Sequence, residues 1–211
     1  MLHHDRGRPA PDVGGAILSL RGTEPLDDVR RLSYSEIFTE FTGLDALDFS
    51  FSRYFDCAKK HNLHDAGAIC GDNHSLWLDF LFSHIVQPRL IGPFVYLIYN
   101  YPACQAGLAR LCTENKQLAE RVELFINGVE LGNGYYELSD AVEQEQRFTA
   151  ENAIREQRSQ PVVTADRRLL AALSSGLPDC AGMAIGLDRL LMLATGSRSI
   201  DEVLAFSVAS A

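Results

Sequence analysis

Gly182-Met-Ala-Ile-Gly-Leu-Asp-Arg-Leu-Leu-Met-Leu-Ala-Thr-Gly196 decides the reading of this chain. Gly182, Ala184 and Gly186 alternate along the start of the segment, so one face of a strand there carries no side chain larger than methyl. A strand with a bare face can approach a flat ligand closely. The strand runs into an apolar helix, Leu187 to Leu193, which closes at Gly196. Arg189 falls in the first turn, where unpaired backbone N–H groups and the helix dipole already favour anions. Such an arrangement suits a nucleotide, with its base on the small residues and its phosphates near the Arg. A plain buried strand–turn–helix with a surface Arg gives the same pattern.

Val122-Glu-Leu-Phe-Ile-Asn-Gly-Val-Glu-Leu131 alternates on both sides of Asn127-Gly128, a strong two-residue hairpin signal. That turn predicts the pairs Ile126–Val129, Phe125–Glu130, Leu124–Leu131 and Glu123–Gly132. Glu123 and Glu130 then share a face as diagonal neighbours, roughly 7–8 Å apart at the backbone. Two Glu side chains can close that gap onto one divalent cation, and Mg²⁺ is held in nucleotide sites by one or two carboxylates plus phosphate oxygens. A solvated hairpin face is the plain alternative, although Gly132, Asn133, Gly134 and Glu137 follow at once.

Together, Glu-Leu-Phe-Ile-Asn-Gly-Val-Glu-Leu-Gly-Asn-Gly-Tyr-Tyr-Glu-Leu (123–138) and Gly-Met-Ala-Ile-Gly-Leu-Asp-Arg-Leu (182–190) resemble class II lysyl-tRNA synthetases, the second segment being motif 3 of that class. The likeness is nearer to the paralogues that attach lysine or β-lysine to elongation factor P. Ala184 stands where the synthetases usually have Gly. Tyr101-Pro-Ala-Cys-Gln-Ala-Gly-Leu-Ala109 and the ending Val203-Leu-Ala-Phe-Ser-Val-Ala-Ser-Ala211 also follow the paralogue pattern. The resemblance covers roughly residues 32–211 and is strong from residue 93.

It implies an α+β class II synthetase-like catalytic core, an antiparallel sheet flanked by helices. It also implies an ATP-dependent ligase using ATP and Mg²⁺, with lysine or β-lysine as substrate and elongation factor P as acceptor. Carried over by position, Glu123, Leu124, Gly186 and Arg189 would bind ATP, and Glu123 and Glu130 the metal. Glu130, Asn133, Glu137 and Ala184 would contact the amino acid, with Arg189 and Glu130 as the catalytic pair. No Phe-Arg-Asn-Glu or His-Asn-Pro-Glu-Phe segment of the family's motif 2 occurs in these 211 residues, and no motif 1 is recognisable. The chain therefore reads as the C-terminal part of such a ligase, without the family's homodimer interface; a truncated frame, a split gene or a degenerate copy would each account for that. A non-catalytic nucleotide- or partner-binding remnant is the rival reading, and a lysine–tRNA ligase a lesser one.

Composition fits a cytoplasmic protein. No apolar run reaches the roughly 20 residues of a membrane span. Five scattered cysteines (57, 70, 104, 112, 180) without a C-x-x-C pair read as reduced thiols. His61 and His64 have no third ligand nearby in sequence and read as surface residues. A formal net charge of −9, with no basic stripe, argues against tRNA and fits a cationic amino acid or a basic acceptor.

Residues 1–31, rich in Pro, Gly and charge, read as a disordered or divergent tail ahead of a single domain over 32–211. Periodicity predicts helices at 34–42, 51–62 and 76–86, with 67–73 a loop, and a strand over 94–99. A loop at 101–106 leads into a short helix, then hairpin strands at 120–126 and 129–137. Helices at 140–157 and 167–175 precede the motif strand.

Overall fold

The computed structural model describes residues 28–207, which form one five-stranded sheet ordered as in the sequence. Its strands are β1 (Asp28–Ser33), β2 (Phe94–Pro102), β3 (Leu118–Ile126), β4 (Val129–Tyr136) and β5 (Ala181–Ile185). β1 lies parallel to β2, and every other neighbouring pair is antiparallel. Parallel neighbours need a long crossover. Here it carries α1 (Tyr34–Thr42), α2 (Phe51–Lys60), α3 (Ala66–Cys70) and α4 (His74–Leu81). The expected α+β architecture, a mainly antiparallel sheet flanked by helices, is what the chain adopts.

Two cores fix the sheet. On one face Tyr96, Ile98 and Phe125 pack under α1–α4, against Tyr34, Phe38, Trp77 and Leu78. On the other face Val95, Leu124, Ile126 and Leu131 pack against Leu190 and Leu193 of α7 (Leu187–Thr195). Side-chain caps start the helices where the sequence supplies them: Ser33 and Glu36 form a reciprocal capping box on α1. Asp140 and Asp166 accept the first free N–H groups of α5 (Ala141–Gln157) and α6 (Arg167–Ser175). α7 ends at Gly196 in the left-handed conformation, as its sequence predicts. No helix among the described residues is long and apolar enough to cross a membrane.

Several local expectations need correction. Residues 28–31, read as tail, open β1: Arg30 lies 3.4 Å over the Phe94 ring centroid, so a charged segment gains both a strand partner and a cation–π contact. The rest of the tail, residues 1–27, lies outside the described residues. Within the expected 67–73 loop, α3 forms because Ala66 and Cys70, one helical turn apart, are both buried. No helix follows Ala106. Arg110 instead donates its N–H to the Tyr136 carbonyl and accepts from the Glu120 N–H, so sheet pairing overrides the helical spacing of Leu108 and Leu111. Beyond Leu81, α4 widens into a π-type turn over Phe82–Val86, a feature that recurs near functional sites.

The hairpin turns at Asn127 and Gly128, both with positive φ. Ile126–Val129 and Phe125–Glu130 pair as expected, but Leu124 then opposes Gly132 and Glu123 opposes Asn133. One extra residue is accommodated in β4, and the bulge replaces the expected Leu124–Leu131 and Glu123–Gly132 pairs. It keeps Leu131 buried in the second core and swings the Asn133 amide, rather than a hydrogen, towards Glu123. Gly134 has no such latitude: a Cβ there would stand 2.9 Å from the Gly182 carbonyl oxygen, so this approach of β4 to β5 demands glycine.

Candidate functional site

The helical layer covers the β1–β3 half of its face, and β5 is exposed along its whole length. Register fixes what the open half presents. Glu123, Asn133 and Ala184 stand in one cross-strand row, and Arg121, Tyr135 and Gly182 in the next. Because the bulge falls beyond Phe125–Glu130, Glu130 shares this face. Both carboxylates line one cavity of about 420 Å³.

Glu123 is buried and closely held. Its Oε2 accepts from the Tyr101 hydroxyl at 2.6 Å, and its Oε1 accepts from Arg121 Nη2 and from Asn133 Nδ2 at 3.1 Å. Burial, reinforced by the Glu123 charge, keeps the Tyr101 hydroxyl protonated far above the usual tyrosine range, so it remains a donor. Oε2, with one partner, retains a lone pair for a cation.

Glu130 is half-buried and is held above the usual carboxylate range, first by burial and then by the Glu123 charge; Arg189 and Arg121 pull it the other way. A carboxylate destabilised by the charge of its neighbour favours a cation between the two. Arg189, exposed in the first turn of α7, donates Nη1 to the Glu130 backbone carbonyl at 2.8 Å. Its guanidinium is thereby tied to the backbone of Glu130. Among the described residues no cluster of three or more His, Cys, Asp or Glu could hold a metal, so Mg²⁺ here would draw its remaining ligands from phosphate oxygens and water. The charges of Glu123 and Glu130, their shared cavity and the spare lone pair on Glu123 fit that group.

The bare face of β5 is not a packing requirement. A Cβ on Gly182 would meet only Glu137 Oε1, at 3.6 Å, and one on Gly186 would meet nothing nearer than 3.8 Å. Neither glycine has positive φ. The fold tolerates side chains at both positions, and their absence leaves room for a ligand.

Two residues do not join the group. Leu124, placed against the nucleotide by resemblance, points its side chain into the core beneath α7, because alternation puts it on the face opposite Glu123. Only its backbone faces the site's strand neighbours. Glu137 does not line the cavity shared by Glu123 and Glu130. It borders a separate cavity of about 250 Å³ with Leu108, Leu169, Leu173 and Leu177, beyond the row of Tyr135 and Gly182. Conversely, Arg121, Tyr101, Asp79 and Gln105 line the carboxylate cavity without having been singled out. The alternation that puts Phe125 beside Glu123 puts Arg121 there too, so its position is legible locally. Asp79 and Gln105 come from different layers and leave no such mark.

Comparison with known proteins identifies the family. The family described as tRNA synthetases class II (D, K and N) matches residues 19–210. A protein of Haemophilus ducreyi named elongation factor P--(R)-beta-lysine ligase is 38% identical over 208 residues, covering 98% of this chain and 61% of the relative. The protein of the same name from Pasteurella multocida is 37% identical over 209 residues, covering 99% and 63%. That of Sodalis glossinidius is 39% identical over 182 residues, covering 86% and 56%. The chain thus spans about three-fifths of the length of these curated relatives. With the match running through the hairpin carboxylates, the bare strand and the Arg-bearing helix, the chain belongs to the class II tRNA synthetase family of D, K and N type.

Proposed function

We propose that this chain carries the nucleotide- and amino-acid-binding face of an ATP-dependent ligase that activates lysine or β-lysine and passes it to a lysine of elongation factor P. The observation that carries the reading is the pair Glu123–Glu130 set beside the bare face of β5 and Arg189. Glu123 and Glu130 would hold Mg²⁺–ATP, Arg189 a terminal phosphate with its planar fork, and Gly182 and Gly186 the nucleotide's flat surface. Asn133, opposite Ala184, would orient the amino acid, and Glu137 would meet its cationic side chain. In such a reaction a carboxylate oxygen of the amino acid would attack the α-phosphorus with loss of pyrophosphate, and the acceptor amine would then take the acyl group with release of AMP and a proton. The protein's part is to position these groups and to offset charge developing on the phosphates. The names of the relatives and the chain's acidic balance favour a cationic amino acid and a protein acceptor over tRNA.

Calorimetry tests this directly. ATP should bind in a Mg²⁺-dependent manner, and Glu130→Gln or Glu123→Gln should weaken binding by about 1.5–3 kcal/mol, the loss of one hydrogen-bonded charged partner. Glu130→Gln is the cleaner variant, since Glu123→Gln also leaves Arg121 without its carboxylate. Parent-like affinity in both would remove the reading.

The same titration has a pH signature. The Glu130 carboxyl keeps its proton to higher pH than an ordinary Glu, whose pKa is about 4.3. Cation binding needs the deprotonated form, so affinity is full above the raised pKa and falls as pH drops through it. Glu130→Gln should abolish that step. The difference between parent and variant separates it from titration of the nucleotide itself.

A further inference from the structure

The cavity that contains Glu123 and Glu130 has a second polar corner, which the reading above leaves unused. Asp79 of α4 stands at the mouth, and Gln105, from the turn after β2, lies behind it. Gln105 is 7% exposed and donates Nε2 to Asp79 Oδ1. Its Oε1 is buried and has no hydrogen-bond partner. The amide cannot relieve this by turning over, because Oε1 would then face the Asp79 carboxylate. A buried acceptor is thus stranded beside a negative charge, in a class of atoms that folded proteins almost always satisfy.

The surroundings define what would satisfy it. Three carboxylates (Asp79, Glu123, Glu130) share the cavity with one guanidinium, Arg121, which is already bonded to Glu123 and to the Gln105 backbone carbonyl. Asp79 makes no ion pair among the described residues. Leu76, Phe80 and Phe82 supply an apolar wall. One carboxylate and one amide carbonyl are too few oxygens for a bound Ca²⁺ or Mg²⁺ cage. They match the donors of an ammonium whose alkyl stem can lie on apolar side chains.

We propose that the Asp79–Gln105 corner is a subsite for a primary alkylammonium group, which donates to the Asp79 carboxylate and to Gln105 Oε1 while its methylene chain lies along Leu76, Phe80 and Phe82. Two sources share that chemistry: the free lysine-type amino acid and the lysine side chain of an acceptor protein. The proposal deepens the ligase reading, on which the choice between these sources rests. Ammonium binding itself requires neither nucleotide nor magnesium.

The test is a titration of the 211-residue chain, monitored by calorimetry and NMR shifts, with neither ATP nor Mg²⁺ present. 1-Pentylamine should bind saturably and at least tenfold more tightly than 1-pentanol. Asp79→Asn should lose at least tenfold in affinity for the amine while leaving that for the alcohol and the thermal midpoint unchanged. If that variant fails to fold, the amine–alcohol comparison in the parent still decides. Equal binding of amine and alcohol, no amine binding, or parent-like affinity in folded Asp79→Asn would each overturn the subsite. Free lysine and Nα-acetyl-lysine amide then separate the sources: tighter free lysine supports the substrate amino acid, and tighter blocked lysine supports the acceptor side chain. Because nucleotide is absent, this experiment and the Mg²⁺–ATP titration can fail independently.

Discussion

Arg121→Met is expected to lower the unfolding free energy by about 3–5 kcal/mol, the usual consequence of removing one partner from a buried ion pair. Glu123 would stay buried with its Oε1 facing a thioether, and only Asn133 Nδ2 would still donate to that oxygen. The variant also loses the donation from Arg121 Nη1 to the Gln105 carbonyl at 2.6 Å, and the contacts of the guanidinium with the Tyr101 and Tyr135 rings at 4.6 and 5.8 Å. Urea denaturation with an unchanged m-value would report the loss as stability rather than as altered compactness. The double variant Arg121→Met/Glu123→Leu should regain most of it, since replacing both charges by apolar groups of similar volume is often neutral. A single variant within about 1 kcal/mol of the parent would show that Glu123 does not depend on Arg121. On the proposed reading, this network would keep a costly buried carboxylate in one orientation for the Mg²⁺–nucleotide to meet.

What could be read in advance followed the range of the interaction. The Asn127-Gly128 turn, the alternation of β3 and β5, and the stop of α7 at Gly196 are set by residues a few positions apart, and they appear as expected. The bulge in β4 is not local. It reflects the joint demands of burying Leu131 under α7 and bringing Asn133 to Glu123, which lies ten positions away across the hairpin. β1 escaped for a related reason: Asp28-Val-Arg-Arg has the composition of a solvated tail, and only pairing with β2 and the Phe94 ring makes it a strand. In the candidate site, Glu123, Glu130, Asn133, Ala184, Gly186 and Arg189 gather on one side of the sheet because strand register and one helix turn place them. Two positions stand apart from that group: the alternation that exposes Glu123 turns the Leu124 side chain into the second core, and Glu137 lies past the Tyr135–Gly182 row, in a neighbouring cavity but with its carboxylate towards Gly182. The Asp79–Gln105 contact joins the helical layer to a loop 26 positions on, a distance over which no periodicity speaks.

Gly182→Val should separate stability from binding by moving them in opposite directions. Gly182 is the second residue of β5, without positive φ, opposite Tyr135, and the nearest atom to a built Cβ is the flexible Glu137 carboxylate at 3.6 Å. Glycine within a strand is disfavoured by its backbone entropy, and β-branched residues fit the pleated surface; the measured span of such preferences is about 1 kcal/mol. Valine should therefore hold or raise the thermal midpoint. If β5 presents its small residues to the flat part of a nucleotide, the added isopropyl group occupies the space the ligand needs, and the neighbouring Ala184 and Gly186 offer no way round. Affinity for Mg²⁺–ATP should fall at least a hundredfold, about 2.7 kcal/mol. Because the Glu123–Glu130 pair is untouched, the cation alone should bind as in the parent, which distinguishes steric exclusion from damage to the carboxylates. Gly134→Ala makes the opposite comparison, because its Cβ would strike the Gly182 carbonyl oxygen and should lower stability. Unchanged ATP affinity in Gly182→Val would mean that the small residues of β5 serve no ligand, and would move the nucleotide away from this strand altogether.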